Sequence, residues 1–493
     1  MNKKQRLLIV GGGTAGWIAA AATAKQLGSL LDITLIESDE VGTVGVGEAT
    51  IPPMKTFHRL LGVDEREFMR ATSATFKLGI SFENWGNNDE KYIHSFGHTG
   101  QESYLADFQH FWLRGLKNGI DAEFGEYCYE LMAAKEGKFA TSEKSNISYA
   151  YHLDAGKYAK FLREYSEKRG VVRREGKING VELDQETGFI KHVKLESGEI
   201  IEADLFIDCS GFRGLLIEQA LHTGYDDWTH WLPCDSAIAV QTKSKGELLP
   251  YTRSVAHEAG WRWRIPLQHR TGNGFVFCSK HMSDETAKQN LLDAIDGEPI
   301  NEPRVIKFKT GRRRKAWNKN CVALGLSSGF LEPLESTSIH LIMTGIIRLL
   351  RLFPFDGVKP SLVDEYNMQA KEEMEKIRDF IVLHYKVTNR QDTPFWNHCR
   401  SMDVPESLNH RINLFKERAH AYQAEGELFR VDSWTQVMFG QGIMPKTYHK
   451  FVDTMDEKDL PQFLGQYRQN VRQAVTRLPS HAEFIEQYCK TPS

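Results

Sequence analysis

The sequence predicts an α/β fold made of a Rossmann-like nucleotide-binding module, antiparallel β segments inserted into it, and a mostly helical C-terminal portion. Three observations lead there. The run Arg6-Leu7-Leu8-Ile9-Val10 is a short buried-type strand, followed by Gly11-Gly12-Gly13-Thr14-Ala15-Gly16 and an alanine-rich helix to Gln26. Between residues 226 and 304 several runs alternate apolar and polar residues as antiparallel strands do, among them Gly260 to Leu267. From Asp364 to Tyr385, by contrast, Met374, Ile377 and Ile381 fall at helical spacing with charge on the opposite face.

The glycine turn carries the first chemical signal. Gly11, Gly13 and Gly16 form G-x-G-x-x-G between a strand and a helix, with Thr14 and Ala15 at the helix start. The second strand, Asp32 to Ile36, ends in Glu37, about 20 residues past the turn, where a carboxylate hydrogen-bonds a ribose diol. Strand, turn, helix, strand and acid together predict dinucleotide binding. Val44-Gly45-Val46-Gly47-Glu48-Ala49-Thr50 follows as a glycine-spaced segment suited to strapping a long cofactor. Two further strand-to-glycine elements come much later, Ile200 to Gly211 through Asp208, and Val322 to Leu326 through Gly325. The three elements resemble the FAD module of glutathione-reductase-like and aromatic-hydroxylase flavoproteins. No second G-x-G-x-x-G is present to hold NAD(P)H, so the electrons are expected from elsewhere.

Composition narrows the partners. A net charge of -3 over 493 residues gives no reason to expect nucleic acid, and no apolar run is long enough to span a bilayer. The seven cysteines are scattered without a C-x-x-C pair, which fits reduced thiols in a cytoplasm and argues against both a disulfide framework and a zinc site. The N-terminus runs directly into the first strand, so no signal peptide is expected. With 10 Trp, 16 Tyr and 27 Phe, aromatic pockets are favoured. Residues 1–350 read as the FAD module with inserted segments at about 75–150 and 226–304. Residues 351–493 read as a helical subdomain packed on it, with helical patterns at Leu408–Ala424, Ser433–Phe439 and Leu460–Arg477.

Candidate chemistry sits in four places. Thr75 to Phe82 alternates as one strand and sets Lys77 between Phe76 and Leu78; such a lysine is either a solvated outer-face residue or a half-buried reactive amine. His94 and Phe96 lie on one side of an extended segment, suited to core packing or to stacking on a flat substrate. Trp261, Trp263 and Ile265 share a strand face closed by Pro266. Finally, Glu332-Pro333-Leu334-Glu335-Ser336-Thr337-Ser338 leads into an apolar helix from Ile339, and unpaired N–H groups at a helix start can seat a small anion. Arg312-Arg313-Arg314-Lys315 reads as a solvated cluster, with flavin phosphates or a reductase as the alternative partner.

Taken in order, the Gly11–Gly16 turn, Lys77, Trp261-x-Trp263-x-Ile265-Pro266 and Pro333-Leu334-Glu335-Ser336-Thr337 resemble the flavin-dependent tryptophan halogenase family over nearly the whole chain. The resemblance implies an enzyme to which a separate flavin reductase supplies FADH2, and which uses O2 and chloride or bromide to form hypohalous acid. That acid travels inside the protein to a lysine, here Lys77, and a glutamate, here Glu335, assists halogenation of an aromatic carbon. Ser336 would lie between the flavin and substrate compartments, while Trp261 and Trp263 would keep the activated oxygen from the substrate. The backbone amides of Thr337 and Ser338 would hold the halide, although the second position is commonly glycine in the family. His94 and Phe96 match the residues that stack on indole. The glutamate and Phe-Trp pair that hold the amino-acid end in tryptophan-specific members have no match in Asp432 to Gly442, which favours indole or a larger indole compound as substrate. Rival readings are a flavin-dependent aromatic hydroxylase and an FAD-binding protein without turnover. Halide preference, regiochemistry and oligomeric state, a homodimer included, stay open at this level.

Overall fold

The computed structural model describes residues 4–40, 47–142 and 145–492. Val44 to Val46 of the expected strap therefore lie outside the described residues. The nucleotide module is a six-stranded sheet in the order Trp317–Asn318, Cys321–Ala323, Leu205–Asp208, Gln5–Val10, Leu31–Glu37, Val172–Glu175. All neighbours are parallel except the first pair. Leu7, Leu8, Ile9 and Val10 are buried from both faces, as a central parallel strand requires. One face is covered by the Thr14–Leu27 helix, whose buried Ala19 to Ala22 let it pack closely. The three strand-to-glycine elements of the sequence thus end side by side at one edge of this sheet.

A second, seven-stranded sheet runs Arg304–Lys307, Ser236–Lys243, Arg270–Phe277, Gly260–Pro266, Thr252–His257, Gly79–Glu83, Lys91–Ser95. It is antiparallel apart from the pairing of Thr252–His257 with Gly79–Glu83. The single strand anticipated over Thr75 to Phe82 is two strands: Thr75–Lys77 pairs with Ala150–Leu153 in a small third sheet, and Gly79–Glu83 belongs to the large one. Leu78 makes the crossing, its N–H donating to Pro250 O at 2.7 Å and its carbonyl accepting from Phe96 N at 2.9 Å. Alternation continues through the junction because both sheets bury this face, so periodicity alone does not reveal the change of partner. Lys77 consequently stands at a seam between sheets, and not on an outer face.

After Arg351 the described chain is helical: Pro360–Lys386, Pro394–Ser401, Glu406–Arg418, Val431–Gly440, Asp459–Thr476 and His481–Tyr488. The helix expected to reach Ala424 stops at Arg418, because Ala419 takes a left-handed φ of 57° and its N–H closes the turn on Phe415 O. Phe380, Phe395, Trp396, Phe429 and Trp434 share one apolar core with Phe82, Trp85, Trp261 and Leu334. The helices and the large sheet therefore bury each other's apolar faces. Within the Arg312–Lys315 cluster, Arg312 pairs with Asp226 and Glu375, Arg313 with Glu218 and Arg314 with Asp226, while Arg314 and Lys315 stay exposed. All seven cysteines are free thiols, and among the described residues no helix is long and apolar enough to cross a membrane and no cluster of potential metal ligands occurs.

Candidate active site

The nucleotide turn is built for close approach. Gly13 precedes the Thr14–Leu27 helix, and a side chain there would project into open space above the helix start, the side from which a phosphate reaches the N–H groups. Gly16 serves packing instead, since a Cβ on it would fall 1.8 Å from Gly11 O. Ala15 lies against Gly325, which opens the short Gly325–Ser327 turn containing Leu326, so two of the glycine turns touch. Glu37 folds back toward Gly12 and accepts from Trp17 Nε1 at 3.3 Å and from Arg173. Open space at Gly13, the helix start and this acid fit a dinucleotide such as FAD. Asp208 fits a different role from the expected one. Its buried carboxylate takes the N–H groups of Leu216 and Ile217, each at 2.8 Å, and both donors of Ser210, so it holds the loop beside the turn. Gly13→Val is expected to leave the apo-protein folded while weakening flavin binding at least tenfold, read by fluorescence titration; Gly16→Ala is expected to lower the apo-protein Tm.

Lys77 is fully buried. Its Nζ donates to Ser336 Oγ at 2.8 Å and to Thr50 O at 3.0 Å, and lies 5.2 Å from the centre of the Phe96 ring. Burial pushes the amine down to about 7, with the charge of Glu335 opposing. A lysine near neutrality in the interior is available both as an amine and as an ammonium donor. Its strand is fixed by a chain of hydrogen bonds. Thr75 Oγ1 donates to Pro266 O at 2.7 Å, so it must accept from His152 Nδ1, whose Nε2 then accepts from Thr252.

Glu335 ends a single 3₁₀ turn, Pro333–Glu335, and Ser336 follows with a left-handed φ of 60°. That conformation costs a non-glycine residue roughly 1 kcal/mol or more and turns Ser336 toward Lys77 while Glu335 points elsewhere. The Glu335 carboxylate accepts from His94 Nδ1 at 2.9 and 3.0 Å. On its other side His384 Nε2 lies 2.9 Å from Oε1. His384 Nδ1 faces the carbonyl of Phe380 at 2.8 Å and donates to it, which leaves Nε2 turned to the carboxylate. Burial alone would raise the Glu335 pKa, but the two histidines outweigh it and hold the carboxylate down to about 2. His94 thus meets the acid through its ring edge, leaving only its face for an aromatic substrate.

Trp261, Trp263 and Ile265 lie on the Gly260–Pro266 strand. Trp261 and Trp263 lie with ring centres 6.0 Å apart, and Trp263 crosses Gly274 of the neighbouring strand, where a Cβ would fall 2.0 Å from the indole. Ile265 packs with Ala49 and Leu267, and Gly47 lies over Ile265, so the strap and this strand meet. Beside them desolvation pushes the Glu48 carboxyl up to about 7. One strand face therefore runs from the strap at Ile265 to the interior at Trp261.

Thr337 precedes the Ser338–Arg351 helix without a side-chain cap. Among the described residues no acceptor meets the N–H of Thr337 or Ser338, so both can receive an anion. Ser338 is an ordinary helical residue; the left-handed position is Ser336, and glycine is not demanded at 338. The Val431–Gly440 helix packs against the His94–Thr99 segment, where Asp432 accepts from Thr99 N and pairs with His98, and Gln436 accepts from Ser95 N. Sequence reasoning missed His384, Tyr385 and Glu332 as parts of this centre. Only the two acids flanking Pro333 hinted at Glu332, and nothing local marked His384 within a helical repeat.

The model of the family described as tryptophan halogenase matches residues 6–457. Tryptophan 7-halogenase RebH of Lentzea aerocolonigenes is 32% identical, with 99% of each chain covered. Among solved structures, a flavin-dependent halogenase from Xanthomonas campestris is similar at 53% identity and a TM-score of 0.98, covering 99% of each chain. Another from Brevundimonas sp. BAL3 shows 45% identity and a TM-score of 0.95, covering 99% of this chain and 100% of that one.

Proposed function

Because the chain belongs to the tryptophan halogenase family and is a flavin-dependent enzyme, we propose that it halogenates an electron-rich carbon of an indole-type substrate, using chloride or bromide. One observation carries this reading: a buried amine, Lys77, rests on Ser336, which lies between the acid Glu335 and the open helix start at Thr337. A hydroxylase of related fold has no use for that combination. The Gly11–Gly16 turn would hold FAD, which, as FADH2 from a separate reductase, would supply with O2 the oxidation of halide to hypohalous acid. The protein's residues do the rest. Thr337 and Ser338 offer N–H groups to the halide. Lys77 Nζ receives the hypohalous acid and aims its halogen at the ring. As the carbon–halogen bond forms, the halogen–oxygen bond breaks and the oxygen leaves as water, taking its second proton from the Lys77 ammonium. Glu335 takes the ring proton, in the low-dielectric setting where a positioned carboxylate stabilises the cationic ring best.

The ring would lie against Phe96 and the face of His94. Asp432 and Gln436, the polar groups nearest this segment, are already paired with Thr99, His98 and Ser95, so they are poor anchors for a free amino acid. Indole or a larger indole compound is therefore favoured over free tryptophan. Purified protein supplied with FAD, a flavin reductase, NADH, indole and either salt is expected to give haloindole by product mass. Hydroxyindole without halogen in both salts would overturn the proposal.

A further inference from the structure

Three residues before Glu335 lies a second fully buried acid. Glu332 is inaccessible to solvent, and its Oε2 accepts from Tyr385 OH at 2.6 Å and from Trp261 Nε1 at 2.9 Å. Its Oε1 is buried and has no partner among the described residues. Burial pushes its carboxyl up to about 7, only partly offset by these two hydrogen bonds. A buried acid left half-satisfied is expensive to the fold and calls for a function.

The two donors come from separate parts of the centre. Trp261 begins the tryptophan wall, and Tyr385 follows His384, which faces Glu335. Adjacent residues of one helix thus grip two acids of one short turn, His384 on Glu335 and Tyr385 on Glu332, with only Pro333 and Leu334 between them. The hydrogen bonds of Tyr385 and Trp261, with His384 set against Glu335, tie the Pro360–Lys386 helix and the wall strand to this turn.

We propose that Glu332 is a positioning residue for halogenation: by accepting from Trp261 and Tyr385 together, it sets the turn that carries Glu335 and Ser336 in register with the tryptophan wall and the His384 helix. The proposal rests on the halogenase reading. It implies that losing the double acceptor lets the turn shift, so that hypohalous acid formed at the flavin escapes before it meets substrate. Flavin oxidation itself is expected to continue.

The test measures haloindole formed per flavin oxidised, with escaped hypohalous acid trapped by monochlorodimedone. Glu332→Leu is expected to lower product per flavin at least tenfold and raise the trapped fraction. Glu332→Gln, whose amide oxygen can accept both donors, is expected to recover at least half of the parent ratio. Tyr385→Phe, which removes one donor without emptying the core, is expected to lower the ratio two- to fivefold and serves if Glu332→Leu does not fold. A folded Glu332→Leu or Tyr385→Phe protein with the parent ratio would overturn the proposal, as would Glu332→Gln performing no better than Glu332→Leu. If the parent itself yields no haloindole in either salt, the halogenase reading falls and this role falls with it; a halogenating parent with indifferent variants sinks only the role of Glu332.

Discussion

Lys77→Met is expected to abolish haloindole formation while reduced flavin is oxidised at the parent rate. The amine is the polar group that Ser336 and the Thr50 carbonyl converge on, and a methionine of similar length fills the seam without a donor. Loss of the group that receives the halogen removes an interaction made only on the reaction path, so the drop should appear in turnover and not in substrate KM. The check is product mass together with oxygen uptake. A variant that halogenates at the parent rate would dismiss Lys77 from the chemistry. The same substitution has a thermodynamic signature. Native Lys77 titrates near 7, against 10.5 for an ordinary lysine. Below pH 7 both folded and unfolded chains carry the proton and the full cost of burying it is felt. Between pH 7 and 10.5 the unfolded chain binds more protons, so the parent gains stability as the solution becomes more alkaline, by roughly 1.4 kcal/mol per pH step of one. Lys77→Met should lack that rise, its advantage over the parent being largest below pH 7 and fading toward pH 10.5.

Much of this centre is legible in the residues. A strand, glycine turn, helix, strand and acid dictate the parallel module because each step has a local cause, and the structure aligns the two later glycine turns beside the first. The face of Trp261, Trp263 and Ile265 is likewise legible in the alternation of residue types, although burial does not follow it strictly, Trp263 being half-buried and Arg264 buried. What the sequence conceals is partnership across long separations. Lys77 looks like any strand lysine until Leu78 is seen to change sheets, and His384 is one polar residue in a helical repeat until the fold brings it to Glu335 from 49 positions away. Asp208 shows the opposite error. An acid at a strand end near a glycine suggests a ligand contact, yet four local donors already claim it. Local patterns specify elements; which carboxylate stays free is decided by tertiary neighbours.

Glu335→Gln should then slow halogenation by about 10²-fold or more, the usual contribution of a positioned proton acceptor, with flavin oxidation unchanged. The substitution suits the site. The amide oxygen can still accept from His94 Nδ1, and the NH2 can donate to His384 Nε2 once that ring keeps its proton on Nδ1, facing Phe380 O. The variant should therefore fold, and a lost rate reports the missing basic carboxylate and not a collapsed turn. Acid titration gives an independent reading. Glu335 is held near 2, below the ordinary 4.5, so its contribution to stability is complete above pH 4.5 and is lost as pH falls through 2. On the order of 3 kcal/mol separates those limits, each tenfold change in proton concentration being worth about 1.4 kcal/mol. Denaturation of the parent should weaken across that window more steeply than that of Glu335→Gln. If both fall in parallel, the histidines do not hold the acid ionised and Glu335 carries a proton. In that case Glu335 would be a donor in the resting enzyme, and Glu335→Gln would retain most of the halogenation rate.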